Sequence, residues 1–333
     1  MAYLLLRGIG ALEYRPSKKM MKEVNDTVAI DEMVKLATNI VSGKKNKSVN
    51  SDDENLLAQI LTIGTSAGGA RAKCLIAYNE ITGDIKSGQV ALDEGFTSWL
   101  LKLDGVDGNS DKEDPDPQGY SKIEYAYYLM AVDIGIEMSL SKLFKEGRRT
   151  HFMTKRFDRL PDGSKVHMQS LCAIAHYDFN YPGAYSYEQA MNVITKVVEP
   201  SKRNSAREQM MLRAIYNVVG RNQDDHTKNI SFLMNKAGEW RLSPAYDLIY
   251  SYNPKGDWTN KHQMMINGKR DNFVREDFIA LGEVCGIKKG KVNKLIDKVI
   301  STFENWSQYA KKADVEEGHR ELIEKNLRLT LEL

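Results

Sequence analysis

Two stretches of the chain place apolar residues at helical spacing. Met210, Met211, Ala214, Ile215, Val218 and Val219 make one face, with Gly220 as a stop, and Val292, Leu295, Ile296, Val299, Ile300 and Phe303 make another. The pattern predicts further helices over Asp31–Val41 and over Tyr125–Ile134, the latter ending at Gly135. The first half reads differently. Residues 3–14 are strand-like with glycine breaks, and residues 61–80 read as strand, glycine-rich turn and strand. A third strand is expected over Thr97–Leu103. Ser42–Asp53 and Asp104–Gln118 are polar loops. Strands first and helices second make an α+β pattern. At 333 residues, the chain is long enough for two lobes.

Composition narrows the function classes. Apolar content of 42% supports a packed core rather than disorder. Lysine and arginine number 47 against 45 acidic residues, which gives no basic footprint for nucleic acid. No apolar run reaches the roughly 18 residues of a membrane span. The start has the wrong flanks for a signal peptide. Cys74, Cys172 and Cys285 are widely spaced and make neither a metal pair nor a disulfide framework, as expected in a reducing cytoplasm.

The chemistry concentrates after Gly220. Asp224-Asp-His-Thr-Lys-Asn229 precedes an apolar strand over Ile230–Met234, a turn at Asn235–Gly238, and a second strand over Trp240–Ser243 that ends in Pro244-Ala-Tyr-Asp247. A hairpin returns the chain to its starting end, so Asp224, Asp225, His226, Lys228, Asn229 and Asp247 are expected at one mouth. Phosphoryl transfer needs a carboxylate for the attacking hydroxyl, oxygen ligands for magnesium and a lysine to offset charge. The separation from Asp224 to Asn229 is that of a kinase catalytic loop. Other readings are a polar loop with a capping Asp and a solvated His, zinc at His226, which has no second His or Cys at ligand spacing, or a glycosidase carboxylate pair, disfavoured by adjacency.

A second candidate segment is Gly64–Lys73. Its glycines would let backbone amides approach phosphates, although a plain hairpin turn has the same composition. Ala70 stands where a Walker lysine belongs, and a strand rather than a helix follows, so this is neither a Walker loop nor a dinucleotide fingerprint. Lys102 lies inside the apolar run Trp99–Leu103 and needs a partner or ligand, with Glu124 as one candidate; an edge lysine reaching water is the other reading.

Together, Ser66–Lys73, Lys155-Arg-Phe-Asp-Arg159, His167–Cys172, Asp224–Asn229 and Leu242–Asp247 resemble the HipA family, bacterial kinases of toxin–antitoxin pairs. The resemblance implies a bilobal protein-kinase-like fold, with a strand-rich lobe over 1–154 and a helical lobe over 155–333. It implies a serine/threonine protein kinase using ATP and Mg2+. Asp224 would be the catalytic base, supported by His226 and Lys228, and Asn229 and Asp247 would hold the metal. Ser66, Ala67, Gly68, Gly69, Ala70 and Lys73 would form the loop over the phosphates, Lys102 would bind them, and Lys155 and Phe157 would meet adenine. Family members have an acidic residue where Lys155 stands, so only the backbone part of that contact carries over.

The same resemblance makes Ser66 an autophosphorylation site, with Thr65 as the alternative. It implies an aminoacyl-tRNA synthetase or other translation factor as substrate and a helix-turn-helix antitoxin as partner, with no direct nucleic-acid or membrane binding. Gly8–Pro16 looks like the end of an N-terminal subdomain, so a separate small protein or a trimmed chain is expected. A small-molecule kinase, or a nucleotide-binding non-catalytic subunit of a DNA-bound complex, remain the rival functions.

Overall fold

A computed structural model describes residues 8–12, 73–88, 93–105 and 119–332. The expected helix over 31–41, the strand over 61–64, most of the strand-like stretch over 3–14, and the glycine-rich Ser66–Ala70 lie outside those residues. The described residues divide into two compact units: those up to Lys122 with Leu140–His167, and Ile123–Ser139 with those from Met168 onward.

The first unit is built on an antiparallel sheet. Its strands are β1 (Lys73–Asn79), β2 (Ile85–Ser87), β3 (Phe96–Lys102), β4 (Ser141–Glu146) and β5 (Arg149–Lys155), in the order β2-β1-β3-β5-β4. β1 and β3 fall where the apolar runs predicted them. The β4–β5 hairpin was not predicted, because charged residues interrupt its alternation. Gly147 turns it with a φ of 53°, a conformation that suits glycine in a two-residue hairpin turn. Trp99, Leu101 and Met153 are fully buried on neighbouring strands, and Leu101 and Met153 sit opposite one another in register. Burying such side chains contributes about 1.5–3 kcal/mol each.

The second unit is mainly helical. Its helices are α1 (Tyr120–Ile134, which begins at the edge of the first unit), α2 (Leu171–Ala175), α3 (Tyr187–Val197), α4 (Arg203–Val219), α5 (Arg275–Cys285), α6 (Lys289–Phe303), α7 (Trp306–Lys312) and α8 (Glu317–Asn326). A small sheet joins β6 (His167–Ser170), β7 (Ser231–Met234) and β8 (Trp240–Leu242) in that order. α4 is central, with Met210, Met211, Ala214, Ile215, Val218 and Val219 all buried, as their spacing predicts. Tyr127, Tyr216, Phe303 and Trp306 pack edge-on or tilted at its C-terminal end.

Gly220 ends α4 for lack of space rather than for backbone conformation. Its φ is −82°, but a Cβ there would stand 2.5 Å from Phe303 Cζ. The left-handed residue is the next one, Arg221, with a φ of 54°. That turn launches the chain into the polar segment that follows.

Candidate active site

β7 and β8 pair antiparallel, with Phe232 opposite Leu242 and Met234 opposite Trp240. The segment before β7 and the segment after β8 therefore meet, as the hairpin argument requires. A cleft of the second unit is lined there by Asp225, His226, Asn229 and Asp247, together with Arg213 and Tyr246; Asp224 is not among its lining residues.

Backbone and side-chain bonds fix this arrangement. Asn229 Nδ2 donates to the Asp224 carbonyl at 2.9 Å, which leaves Oδ1 as its outward end. The Tyr246 hydroxyl donates to the Lys228 carbonyl at 2.6 Å and also meets the Ser231 hydroxyl. One phenol thus ties the short turn carrying Asn229, just before β7, to the segment carrying Asp247. Asp247 itself takes a φ of 54°, a left-handed conformation that Asp tolerates better than most residues. Its carbonyl accepts from Asn222 Nδ2 at 3.2 Å.

Asp224 is partly exposed, and its Oδ1 accepts from the Trp258 indole at 2.7 Å. His226 Nε2 lies 3.8 Å from the same oxygen, and its Nδ1 has no hydrogen-bond partner. The Lys228 ammonium lies 3.3 Å from the centroid of the Phe179 ring. Burial pulls the pKa of Lys228 down, against the opposing pull of Cys172, Asp224 and Asp178.

Asp225 lines the same cleft, with its carboxylate taken up by bonds to neighbouring groups. It is buried, with Oδ2 accepting from Tyr187 and His262 and Oδ1 accepting from the Gln263 amide at 2.7 Å. Burial alone would raise its pKa, but His262, the Gln263 amide and Tyr187 together hold it below the usual carboxylate value. Arg213 is also buried. Its Nη2 donates to the Ser243 carbonyl at 2.7 Å, Nε and Nη1 have no partner, and burial pulls its pKa down to about 10. Trp258, Tyr187, His262 and Arg213 were not singled out in the sequence.

In the first unit, Lys73 and Lys102 stand opposite one another across β1 and β3, and both are buried. Directly opposed like charges repel, so this pairing favours a nearby anion. Lys102 also lies 5.7 Å from the Phe152 ring centroid. Lys155 ends β5, with its N–H donated to the Leu140 carbonyl and its ammonium 3.4 Å from Glu80. The rest of that motif clamps the Gly8–Gly10 segment. Asp158 accepts from the Gly10 amide, Arg156 and Arg159, while the two arginines donate to the carbonyls of Gly8 and Gly10.

Among the described residues, no group of three or more His, Cys, Asp or Glu side chains forms a metal cage. Asn229 and Asp247 do fit magnesium, which usually takes one or two carboxylates and completes its shell with water and phosphates. No helix among the described residues is long and apolar enough to cross a membrane.

The family model of the HipA-like C-terminal domain matches residues 65–307. The chain belongs to that family. A putative kinase of Haemophilus influenzae is 24% identical over 251 residues, covering 66% of this chain and 72% of the relative. HipA of Shewanella oneidensis MR-1, solved in a toxin–antitoxin complex with HipB and its operator DNA, superposes with a TM-score of 0.69 at 16% identity, covering 99% of this chain and 78% of that one. The fold is therefore HipA-like.

Proposed function

We propose that the chain is an ATP- and magnesium-dependent kinase that transfers the γ-phosphate to a serine or threonine hydroxyl of a protein. The observation that carries this reading is that Asn229, tied to the Asp224 backbone, shares a cleft with Asp247. Asp224 accepts the proton of the attacking hydroxyl. The hydroxyl oxygen bonds the γ-phosphorus as the bond to the β,γ-bridging oxygen breaks, and ADP leaves with that oxygen. Asn229 and Asp247 would hold the ion, which when bound would offset phosphate charge. Lys228 adds positive charge beside the reacting groups, and His226 stands next to Asp224 Oδ1. Residues 1–154, through Ser66–Lys73 and Lys102, serve the nucleotide together with the hinge backbone around Lys155–Phe157, and the remainder of residues 155–333 serves the transfer.

By the same reading, the substrate is a translation factor such as an aminoacyl-tRNA synthetase, and a helix-turn-helix antitoxin is the regulatory partner. Ser66 is the site of self-inactivation. A phosphoserine adds roughly −1.5 to −2 charge, which repels ATP phosphates from a loop built to hold them.

The test is transfer from γ-labelled ATP with magnesium, with and without cell extract. Asp224→Asn should abolish labelling while ATP affinity is kept; labelling at the unmutated rate removes Asp224 from the role. Asp247→Asn should lose magnesium-dependent ATP binding. Mass spectrometry after incubation should find phosphate on Ser66 in the active protein and none in Asp224→Asn.

A further inference from the structure

Phe179 lies outside the hairpin, on the loop between α2 and α3, yet it touches the residues on both sides of Thr227 in the catalytic segment. The Lys228 ammonium stands 3.3 Å from its ring centroid, and the His226 ring meets it edge-on with centroids 5.5 Å apart at 66°. Among the described residues, no carboxylate lies within 4.0 Å of Lys228 to hold that charge instead. The loop carrying Phe179 is itself fixed. Thr227 Oγ1 donates to the Tyr177 carbonyl at 2.8 Å, the Asp178 amide donates to the Tyr185 hydroxyl at 3.0 Å, and Tyr177 stacks on Tyr185 at 4.4 Å.

We propose that Phe179 is a positioning residue for phosphoryl transfer: its ring face holds the Lys228 ammonium in place beside Asp224 and keeps it out of ion pairs. A lysine carries four rotatable carbons, so an unrestrained ammonium samples many positions. An aromatic face attracts a cation without neutralising it. The ammonium therefore keeps its N–H groups available for a phosphoryl oxygen, which a carboxylate partner would not allow. The edge contact with His226 sets that ring at the same time.

This inference rests on the kinase reading, and the experiment separates the two. The full chain is assayed for transfer of labelled γ-phosphate onto itself across a range of magnesium-ATP concentrations. Phe179→Leu should lower the maximal rate about tenfold while half-saturating ATP changes less than about twofold. Phe179→Tyr, which keeps the ring face, should restore the rate. A purely structural plug would show no such split and no such rescue.

The contact has its own readout. In protein labelled at lysine, the Lys228 side-chain methylenes next to the ammonium, assigned through Lys228→Arg, should resonate upfield because they lie over a ring. Phe179→Leu should abolish that shift, and Phe179→Met serves as a second non-aromatic variant if Leu perturbs folding. An upfield shift that survives both substitutions overturns the contact. A normal maximal rate in Phe179→Leu, with Asp224→Asn inactive, overturns the positioning role and leaves the kinase reading standing. Undiminished transfer in Asp224→Asn removes Asp224 from the role of base, and no transfer by the unmutated chain sinks the kinase reading and the catalytic role of Phe179 with it.

Discussion

The Tyr187 hydroxyl donates to the Asp225 carboxylate over 2.9 Å and accepts from Asn217 Nδ2 at the same distance. Asn217 Oδ1 in turn accepts from Asn222, whose Nδ2 also reaches the Asp247 carbonyl. A buried polar chain thus runs from the carboxylate beside Asp224 to the backbone of Asp247. Burial and the Asp225 charge push the Tyr187 pKa well up, so the phenol stays protonated and remains a donor. Tyr187→Phe leaves Asn217 without its acceptor and Asp225 short of a donor. A loss of roughly 1–3 kcal/mol is expected, read as a lower midpoint in denaturant with an unchanged slope. An unchanged midpoint would show that the chain carries no stability.

Trp258 acts on Asp224 from 34 residues away in sequence. Its indole N–H fixes one carboxylate oxygen and so aims the other. Trp258→Phe keeps an aromatic ring in place while deleting the donor. Transfer should fall by at least about tenfold, in line with the roughly 1.5–3 kcal/mol of a hydrogen bond to a charged group, with magnesium-ATP affinity unaltered. Equal loss of ATP binding would mean that Trp258 shapes the nucleotide site instead.

Which features were legible in the sequence follows from how local their causes are. The buried face of α4 and the β7–β8 hairpin are set by spacing within twenty residues, and both stand as read. α1 was placed correctly at its end, because Gly135 stops it, but it begins at Tyr120 rather than Tyr125. That the segments carrying Asp224, Asn229 and Asp247 meet was legible, because the hairpin alone brings them together. Trp258, Tyr187 and His262 were not, since their roles depend on contacts 34–38 residues apart that no periodicity marks. Asp225 was grouped with the mouth residues on adjacency and does line the cleft with Asn229 and Asp247, but its carboxylate is engaged by Tyr187, His262 and the Gln263 amide, which no local spacing foretold.

His151 gives the first unit a pH dependence of definite sign. It is fully buried; Nδ1 accepts from the Asp104 amide at 3.0 Å, so Nε2 carries the hydrogen and faces Glu146 at 3.3 Å. Burial lowers its pKa below 6.5, and the opposing pull of Glu146 and Asp104 does not make up the difference. A group depressed in the folded state contributes stability that is present above its unfolded pKa and is lost as pH falls towards the folded one. The urea midpoint should therefore decline below about pH 6.5, and His151→Gln should flatten that decline. An equal decline in the variant would place its cause elsewhere.

Asp158 is the charge that holds Gly8–Gly10 in place. Its Oδ2 accepts from the Gly10 amide at 2.7 Å, from Arg156 at 2.7 Å and from Arg159 at 3.0 Å, while Oδ1 accepts from Arg156 Nε at 2.8 Å. Burial would raise its pKa, yet the two guanidiniums and the amide hold it below 3.8, so this stability is present at neutral pH and is lost only as pH falls below that value. Asp158→Ala leaves two nearly buried arginines without their counter-charge, a change that costs about 3–5 kcal/mol when a buried pair is broken. Asp158→Asn keeps the shape and one acceptor oxygen and should cost less. The arginines also bond the Gly8 and Gly10 carbonyls, and that grip loosens with them. Limited proteolysis should then cut near residues 8–12 faster in Asp158→Ala than in Asp158→Asn, and slowest in the unmutated chain. Equal cutting in all three would show that the arginines hold the segment without the carboxylate.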